Sequence, residues 1–109
     1  VDEASFKAES QSPDQSDLEV THSKWYGKKL TYTGKIIARV DDKDFRGYMI
    51  NIFDDKSYVC VLDVNKEFDF KKDQSVTFWA YGLGRVEAKG WFGEEMGLIG
   101  FKAKYMEEV

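Results

Sequence analysis

The spacing of apolar positions divides the chain into a short helical segment and a longer region of strands. Three side chains recur at i, i+4 and i+7, the spacing of one helical face: Leu18, His22 and Trp25. They predict a helix over 17–26 that packs through this face. Ser16 and Glu19 have the spacing of a capping box, and Gly27 is placed to end the helix.

From residue 28 the period changes to two, which is typical of half-buried strands. The alternation lasts over 28–42, longer than the roughly 3–10 residues of most strands. Gly34 lies in its middle and predicts a bulge or a bend there. The predicted inner face consists of Leu30, Tyr32, Gly34, Ile36, Ala38 and Val40.

The next two β-rich runs flank the polar residues 54–57 and predict a hairpin. A loop of even length is expected, because a three-residue loop would normally need a glycine. It pairs Phe53 with Tyr58, Ile52 with Val59, and Ile50 with Val61. The predicted core face is Tyr48, Ile50, Ile52, Val59 and Val61, and the opposite face is Met49, Asn51, Phe53, Tyr58, Cys60 and Leu62.

The remaining chain predicts two further strands. A charged connection over 65–74 is long enough for one helical turn. The segment 75–83 alternates as a fourth strand, 84–95 is a Gly-rich loop, and 96–106 is the last strand. On the fourth strand, Val76, Phe78, Ala80 and Gly82 are expected in the core, with Trp79 and Tyr81 on the other face. Five strands, the first long and bent, predict an all-β, five-stranded Greek-key OB-fold barrel with a short N-terminal helix.

Charge separates an N-terminal arm from this barrel. Residues 1–20 carry six acidic side chains and one basic side chain, whereas the other 89 residues hold 15 basic and 14 acidic ones. Residues 1–16 are polar and contain the only proline, so they are expected to be a flexible acidic arm or linker, with the OB domain over 17–109. A barrel of near-neutral charge weakens the case for a general phosphate-backbone binder.

The sequence lacks the sets of residues that several kinds of catalytic, nucleotide-binding and metal sites require. One cysteine and one histidine cannot form a Cys/His zinc site, and no nucleotide-binding motif or Ser/His/Asp set is present. The segment 42–47 imitates the start of a calcium loop, but Arg46 occupies a ligand position and Phe53 replaces the closing Glu. We expect no enzyme activity, no cofactor and no metal. No apolar run approaches the length of a membrane span.

Three stretches resemble a known family, the tRNA-anticodon-like OB domains of bacterial exported proteins and lipoproteins. In "WYGKKLTYTGKIIARV" the matching positions are Tyr26, Gly27, Lys28, Thr33, Gly34, Lys35 and Ile36, and "KKDQSVTFWAYG" matches a second landmark except that Asp73-Gln74 lacks the usual Gly. "GFKAKYMEE" resembles the closing strand. The resemblance spans 17–109 and implies an extracytoplasmic module, secreted or membrane-anchored, whose arm was the stalk after a removed N-terminal segment. It implies no catalytic residues.

The candidate contact surface is rich in aromatic side chains. It comprises Met49, Phe53, Tyr58, Trp79, Tyr81, Arg85, Trp91 and Phe92. Trp79 and Tyr81 are either covered from within or exposed as a platform, and Trp91 and Phe92 either close one barrel end or contact a partner. We expect a non-enzymatic binding module for a protein or glycan. The alternatives are a single-stranded nucleic-acid-binding OB domain and a structural domain of a larger protein.

Overall fold

The computed structural model describes residues 2–20, 22–53, 58–87 and 97–109, and their strands form a closed barrel. The elements are α1 (Glu3–Glu9), α2 (Gln15–Val20), a 3₁₀ helix (His22–Trp25), β1 (Lys29–Asp41), β2 (Arg46–Asn51), β3 (Val59–Asp63), β4 (Ser75–Glu87) and β5 (Gly97–Glu108). The strand order is β1-β2-β3-β5-β4, with β4 also paired to β1. Only the β3–β5 pairing among these is parallel. The predicted all-β, OB-like barrel is confirmed.

β1 belongs to both halves of the barrel because it changes partner midway. Its first half pairs with β4 as far as Lys35, and its second half pairs with β2 from Lys35 onward. Gly34 lies at this change, where a Cβ would overlap the backbone carbonyl oxygen of Asn51. Only glycine allows β2 to approach so closely.

A β-bulge in β1 reverses which side chains point inward. The register shifts between Ile36 and Ala38, and beyond it Arg39 lies directly opposite Tyr48. Tyr48 is a core residue, so Arg39 takes the inner side. The prediction that Ala38 and Val40 face inward was wrong, because the extra residue in the bulge shifts the alternation by one.

The β2–β3 hairpin keeps the predicted faces but not the predicted register. Ile50 pairs with Val59 and Tyr48 with Val61, two residues away from the expected pairs. A shift of two preserves the alternation, since side chains in a strand repeat every two residues. Four predicted core side chains are therefore fully or almost fully buried: Tyr48, Ile50, Val59 and Val61.

The turn before β4 uses Asp73 where the resembling family has glycine. Asp73 has φ +75°, in the left-handed region that glycine usually supplies. Its backbone N–H donates to Ile36 O at 2.8 Å, and Gln74 O accepts from Ile36 N at 2.9 Å. These two bonds fix the turn against β1. The predicted core positions of β4 are confirmed, because Val76, Phe78, Ala80 and Gly82 are all buried.

The N-terminal helix differs from its prediction in its bounds and its cap. α2 begins at Gln15, and Asp14 Oδ1 accepts a hydrogen bond from Asp17 N at 2.8 Å. Asp14 is therefore the N-cap, and the predicted capping box of Ser16 and Glu19 was wrong. Leu18 and Trp25 do join the core cluster as expected. The side chain of His22 lies outside what the structure describes.

Residues 2–14 are not the flexible arm that their composition predicts. α1 begins after Asp2, whose carboxylate accepts from Ser5 N at 2.7 Å, and Phe6 is 1% exposed. Gln11 then forms a parallel bridge to Leu30 of β1. The buried Phe6 side chain and the main-chain bridge at Gln11 together hold this polar segment on the barrel. Among the described residues no helix is long and apolar enough to cross a membrane.

Candidate binding surface

The outer side of β1, β2 and β3 carries two rows of residues matched by strand register. One row is Ala38, Met49 and Cys60, and the other is Val40, Gly47 and Leu62. We name these six residues the β2–β3 face. They alternate with Tyr48 and Val61 of the core, so they lie on the outer side of the barrel.

Burial within the β2–β3 face is uneven. Met49 is 0% and Cys60 2% exposed, whereas Ala38, Val40 and Leu62 are half-buried. Met49, predicted as a contact residue, is therefore not accessible. Burial raises the pKa of the Cys60 thiol to about 12, which leaves it protonated and unreactive at neutral pH.

The two aromatic residues predicted beside this face lie where β2 and β3 diverge. Phe53 is half-buried and packs against the core, with its ring centroid 5.8 Å from that of Tyr32. Tyr58 is also half-buried. Phe53 is thus part of the barrel's edge packing rather than a free platform. Arg85 is exposed, and Trp91 and Phe92 lie outside the described residues.

Trp79 and Tyr81 lie on a different surface, the outer side of β4, and α1 covers it. The Phe6 ring stands edge-on to Tyr81 at 5.1 Å and to Tyr105 at 5.6 Å between centroids. Lys7 Nζ lies 4.1 Å from the Trp79 ring centroid, within cation–π range. Trp79 and Tyr81 are therefore covered from within, but by α1 instead of the predicted helix.

Sequence reasoning missed two members of this aromatic cluster. Tyr105 lies opposite Trp79 in the β4–β5 register. Plain alternation in "KAKYM" would place Tyr105 on the same side as Ala103, and the register shift between Trp79 and Ala80 turns it outward instead, so the sequence pattern gave no signal for it. Phe6 had a weak signal, since it is the only aromatic residue in the first twenty. The structure thus brings Trp79 and Tyr81 together and separates them from Met49, Phe53 and Tyr58.

Polar side chains of β2 and β3 hold the connection between β3 and β4 against the barrel. Asp63 is 2% exposed, and its carboxylate accepts from Glu67 N at 2.9 Å and from Phe68 N at 2.7 Å. The Tyr48 hydroxyl donates to Phe68 O at 2.9 Å and accepts from Phe70 N at 3.1 Å. The predicted helical turn is absent over the described connection 65–74, and these bonds take its place.

Two guanidinium groups complete this network. Arg39 donates to Asp41 at 3.0 and 3.2 Å, to Asp69, and to Phe70 O at 3.0 Å. Arg46 donates to Asp41 at 2.8 Å and to Phe68 O. These hydrogen bonds hold the pKa values of Asp41 and Asp69 below the ordinary value for an aspartate. Both cations are thereby occupied within the protein.

Metal-ligand chemistry is not assembled in the part of the chain that the structure describes. Within residues 2–20, 22–53, 58–87 and 97–109, no group of three or more His, Cys, Asp or Glu side chains is placed to hold a metal ion. In the calcium-like segment 42–47, Arg46 is bound to Asp41. The turn is closed by a hydrogen bond that Asp42 N donates to Phe45 O at 3.0 Å.

Comparisons with known proteins support the fold alone. No protein-family model and no curated protein sequence matches the chain. The OBody AM3L09 bound to hen egg-white lysozyme is similar in structure, with a TM-score of 0.60 at 7% identity, over 79% of this chain and 85% of that chain. Aspartyl tRNA synthetase from Entamoeba histolytica is similar with a TM-score of 0.65 at 9% identity, over 96% of this chain but only 22% of the synthetase. At these identities the likeness shows an OB-like barrel and nothing finer.

Proposed function

We propose that this chain is a non-enzymatic OB-fold binding module whose protein or glycan partner contacts the β2–β3 face. The observation that carries the proposal is the apolar character of all six register positions across β1, β2 and β3. An apolar patch on the outside of a small barrel is typical of an interaction site. The same strands, with their flanking loops, bind ligands in other OB-folds.

Within this face the accessible contacts come from its half-buried members. Val40 of β1 and Leu62 of β3 lie on either side of Gly47 of β2. Gly47 has no side chain, so none stands between them. Met49 and Cys60 are buried members of the face and offer no accessible contact. Tyr58, Arg85, Trp91 and Phe92 stay candidate rim residues on the sequence argument alone.

The arrangement of cations and aromatic residues weighs against the alternative, a single-stranded nucleic-acid-binding OB domain. Such domains combine a basic groove with exposed stacking rings. Here Arg39 and Arg46 are bound to Asp41, and Trp79 and Tyr81 lie beneath α1. The net charge of −4 adds to this argument.

The proposal includes an exported or lipid-anchored bacterial origin, which rests on the sequence resemblance over 17–109. The codons that precede Val1 in the gene test it. A signal peptide or lipobox is expected there, and a preceding sequence without either would contradict this part of the proposal.

Site-specific photo-crosslinking tests the binding surface. A benzophenone amino acid at position 62 is expected to capture a partner in cells that produce the protein, whereas the same group at position 75 is not, because Ser75 is an exposed β4 residue away from the face. The captured molecule is then purified. Leu62→Lys is expected to weaken its binding at least about tenfold, and Ser75→Lys is expected to leave it unchanged. Equal effects of the two substitutions would contradict the proposed surface.

A fluorescence anisotropy titration with labelled (dT)15 at two salt concentrations tests the alternative. We expect no binding at micromolar protein. Binding that weakens steeply with salt would favour the nucleic-acid function instead, since salt competes with phosphate contacts.

A further inference from the structure

The outer side of β1, β4 and β5 holds an aromatic surface that is distinct from the β2–β3 face. It is formed by Trp79, Tyr81 and Tyr105, and we name it the capped face because α1 lies on it. Phe6 of α1 is its central contact: the side chain is 1% exposed and meets both tyrosine rings edge-on. One aromatic anchor thus packs on the two tyrosine rings, and Lys7 lies over the third ring, that of Trp79.

Charges on the two sides of the capped face match those of α1. Lys29 of β1 pairs with Glu9 and also lies 5.5 Å from the Phe6 ring centroid. Glu107 of β5 pairs with Lys7, which is held in turn by Glu3 at 2.9 Å. This pattern of charges fixes the direction in which a helix lies on the face.

α1 contacts the barrel through side chains and has little stability of its own. It has seven residues, and isolated helices of that length are marginal in water. Main-chain bonds to β1 begin only at Gln11, whose N–H donates to Lys29 O at 3.0 Å and whose carbonyl accepts from Thr31 N at 2.9 Å. Ser10 lies between α1 and Gln11, and its backbone is extended. Rotation at Ser10 can release α1 while the Gln11 bridge stays in place.

We propose that the capped face is a helix-docking site, which α1 occupies in the free chain and from which an acidic helix of a partner protein displaces it. The partner helix would carry one aromatic side chain in the role of Phe6 and a carboxylate three residues later, in the role of Glu9, to meet Lys29. An amphipathic helix laid against an apolar surface is a recurring mode of protein recognition. The inference does not depend on the β2–β3 face, so either can fail without the other.

Competition with a synthetic copy of α1 tests the proposal. The probe is a fluorescein-labelled peptide with the sequence of residues 2–12, DEASFKAESQS. The binding proteins are the chain of residues 1–109 and its Phe6→Ala variant. Phe6→Ala removes the competing anchor and leaves Trp79, Tyr81 and Tyr105 intact. The variant is expected to bind the peptide at least about tenfold more tightly than the unchanged chain, whose own α1 occupies the face for most of the time.

Two controls make the outcome specific. A peptide with Ala in place of its Phe is expected not to bind, and Tyr81→Ser added to Phe6→Ala is expected to abolish binding of the original peptide. Equal affinity of both chains for the peptide, or undiminished binding in either control, would overturn the proposal. Should NMR spectra show that Phe6→Ala unfolds the barrel, Glu9→Lys serves instead, because it repels Lys29 without removing a buried side chain.

Discussion

Leu18 and Trp25 cover the core beside the start of β1, whereas residues 64–70 cover it beside the end of β1 by a different chemistry. The first pair, which we name the apolar cover, joins the core cluster through apolar side chains alone. The second segment, which we name the hydrogen-bonded cover, places Phe68 and Phe70 against the core but is held by Asp63, Tyr48 and two arginines. Both keep water from one barrel core.

The difference shows that a covering segment without regular secondary structure needs side-chain hydrogen-bond partners for its backbone, whereas a helical one does not. Residues in a helix satisfy their own backbone groups, so the apolar cover requires only buried surface from its side chains. The hydrogen-bonded cover has no helix, and its backbone N–H and C=O groups need partners near the core. Asp63 and the Tyr48 hydroxyl supply them. The apolar cover should therefore respond to side-chain volume, and the hydrogen-bonded cover to charge.

Trp25→Ala is expected to have the largest effect, about 3–5 kcal/mol of unfolding free energy, because it removes a large side chain from a packed site. Trp25→Phe is the control. Among the described residues Trp25 Nε1 is buried without a hydrogen-bond partner. Replacing it by Phe removes that unsatisfied donor and should cost clearly less. Urea unfolding measures both, and a Phe variant as unstable as the Ala variant would show that the indole N–H is bonded.

Asp63→Ala is expected to cost about 2–4 kcal/mol, because two backbone N–H groups lose their acceptor in a nearly dry site. Asp63→Asn keeps one carbonyl oxygen and should retain part of this stability. Urea unfolding gives the free energies, and amide exchange at Glu67 and Phe68 locates the change. A loss spread evenly over the barrel amides would argue that Asp63 acts on the whole fold and not on this cover.

The sequence pattern predicted the apolar cover because that cover depends on residues close together in the chain. The spacing of Leu18 and Trp25 marks one apolar face within a short segment, even though the structure divides that segment into α2 and the 3₁₀ helix. The inward and outward sides of the β2–β3 hairpin were likewise correct despite a register shift of two. The hydrogen-bonded cover depends on the bulge after Ile36, which turns Arg39 toward Tyr48. No pattern in the sequence marks a bulge at Ile37, since an alternating run reads the same with or without it.

The candidate contact residues divide in a similar way. Trp79 and Tyr81 were correctly placed opposite the core on β4, because alternation fixes the side of a strand. That α1 covers them could not be predicted, since the polar composition of residues 1–16 outweighed the single Phe6. Met49 was placed on the correct side, but its burial depends on tertiary packing that strand alternation does not report.

Asp14→Ala tests the end of the apolar cover where local hydrogen bonding does matter. The Asp14 side chain caps α2 through Asp17 N, so its loss should cost about 0.5–2 kcal/mol. Ser16→Ala is the matched control, because Ser16 lies inside α2 and not at its start. The change in melting temperature measures both. A larger loss from Ser16→Ala would restore the capping box of Ser16 and Glu19.

Acid should separate the two covers with the smallest perturbation of the barrel. The pKa values of Asp41 and Asp69 are lowered in the folded state by hydrogen bonds from Arg46 and Arg39, so both carboxylates stabilise the fold above their unfolded pKa, near 3.8. That stability is lost as the pH falls below 3.8 and through the lowered folded values. The protection factors of the Phe68 and Phe70 amides, measured by NMR against the intrinsic exchange rate at each pH, should therefore fall below about pH 4. The Trp25 signal should change less over the same range, because Trp25 joins the core through apolar packing. Asp69→Asn should reduce the acid response of the hydrogen-bonded cover, and a simultaneous change in both covers would show that they open as one unit.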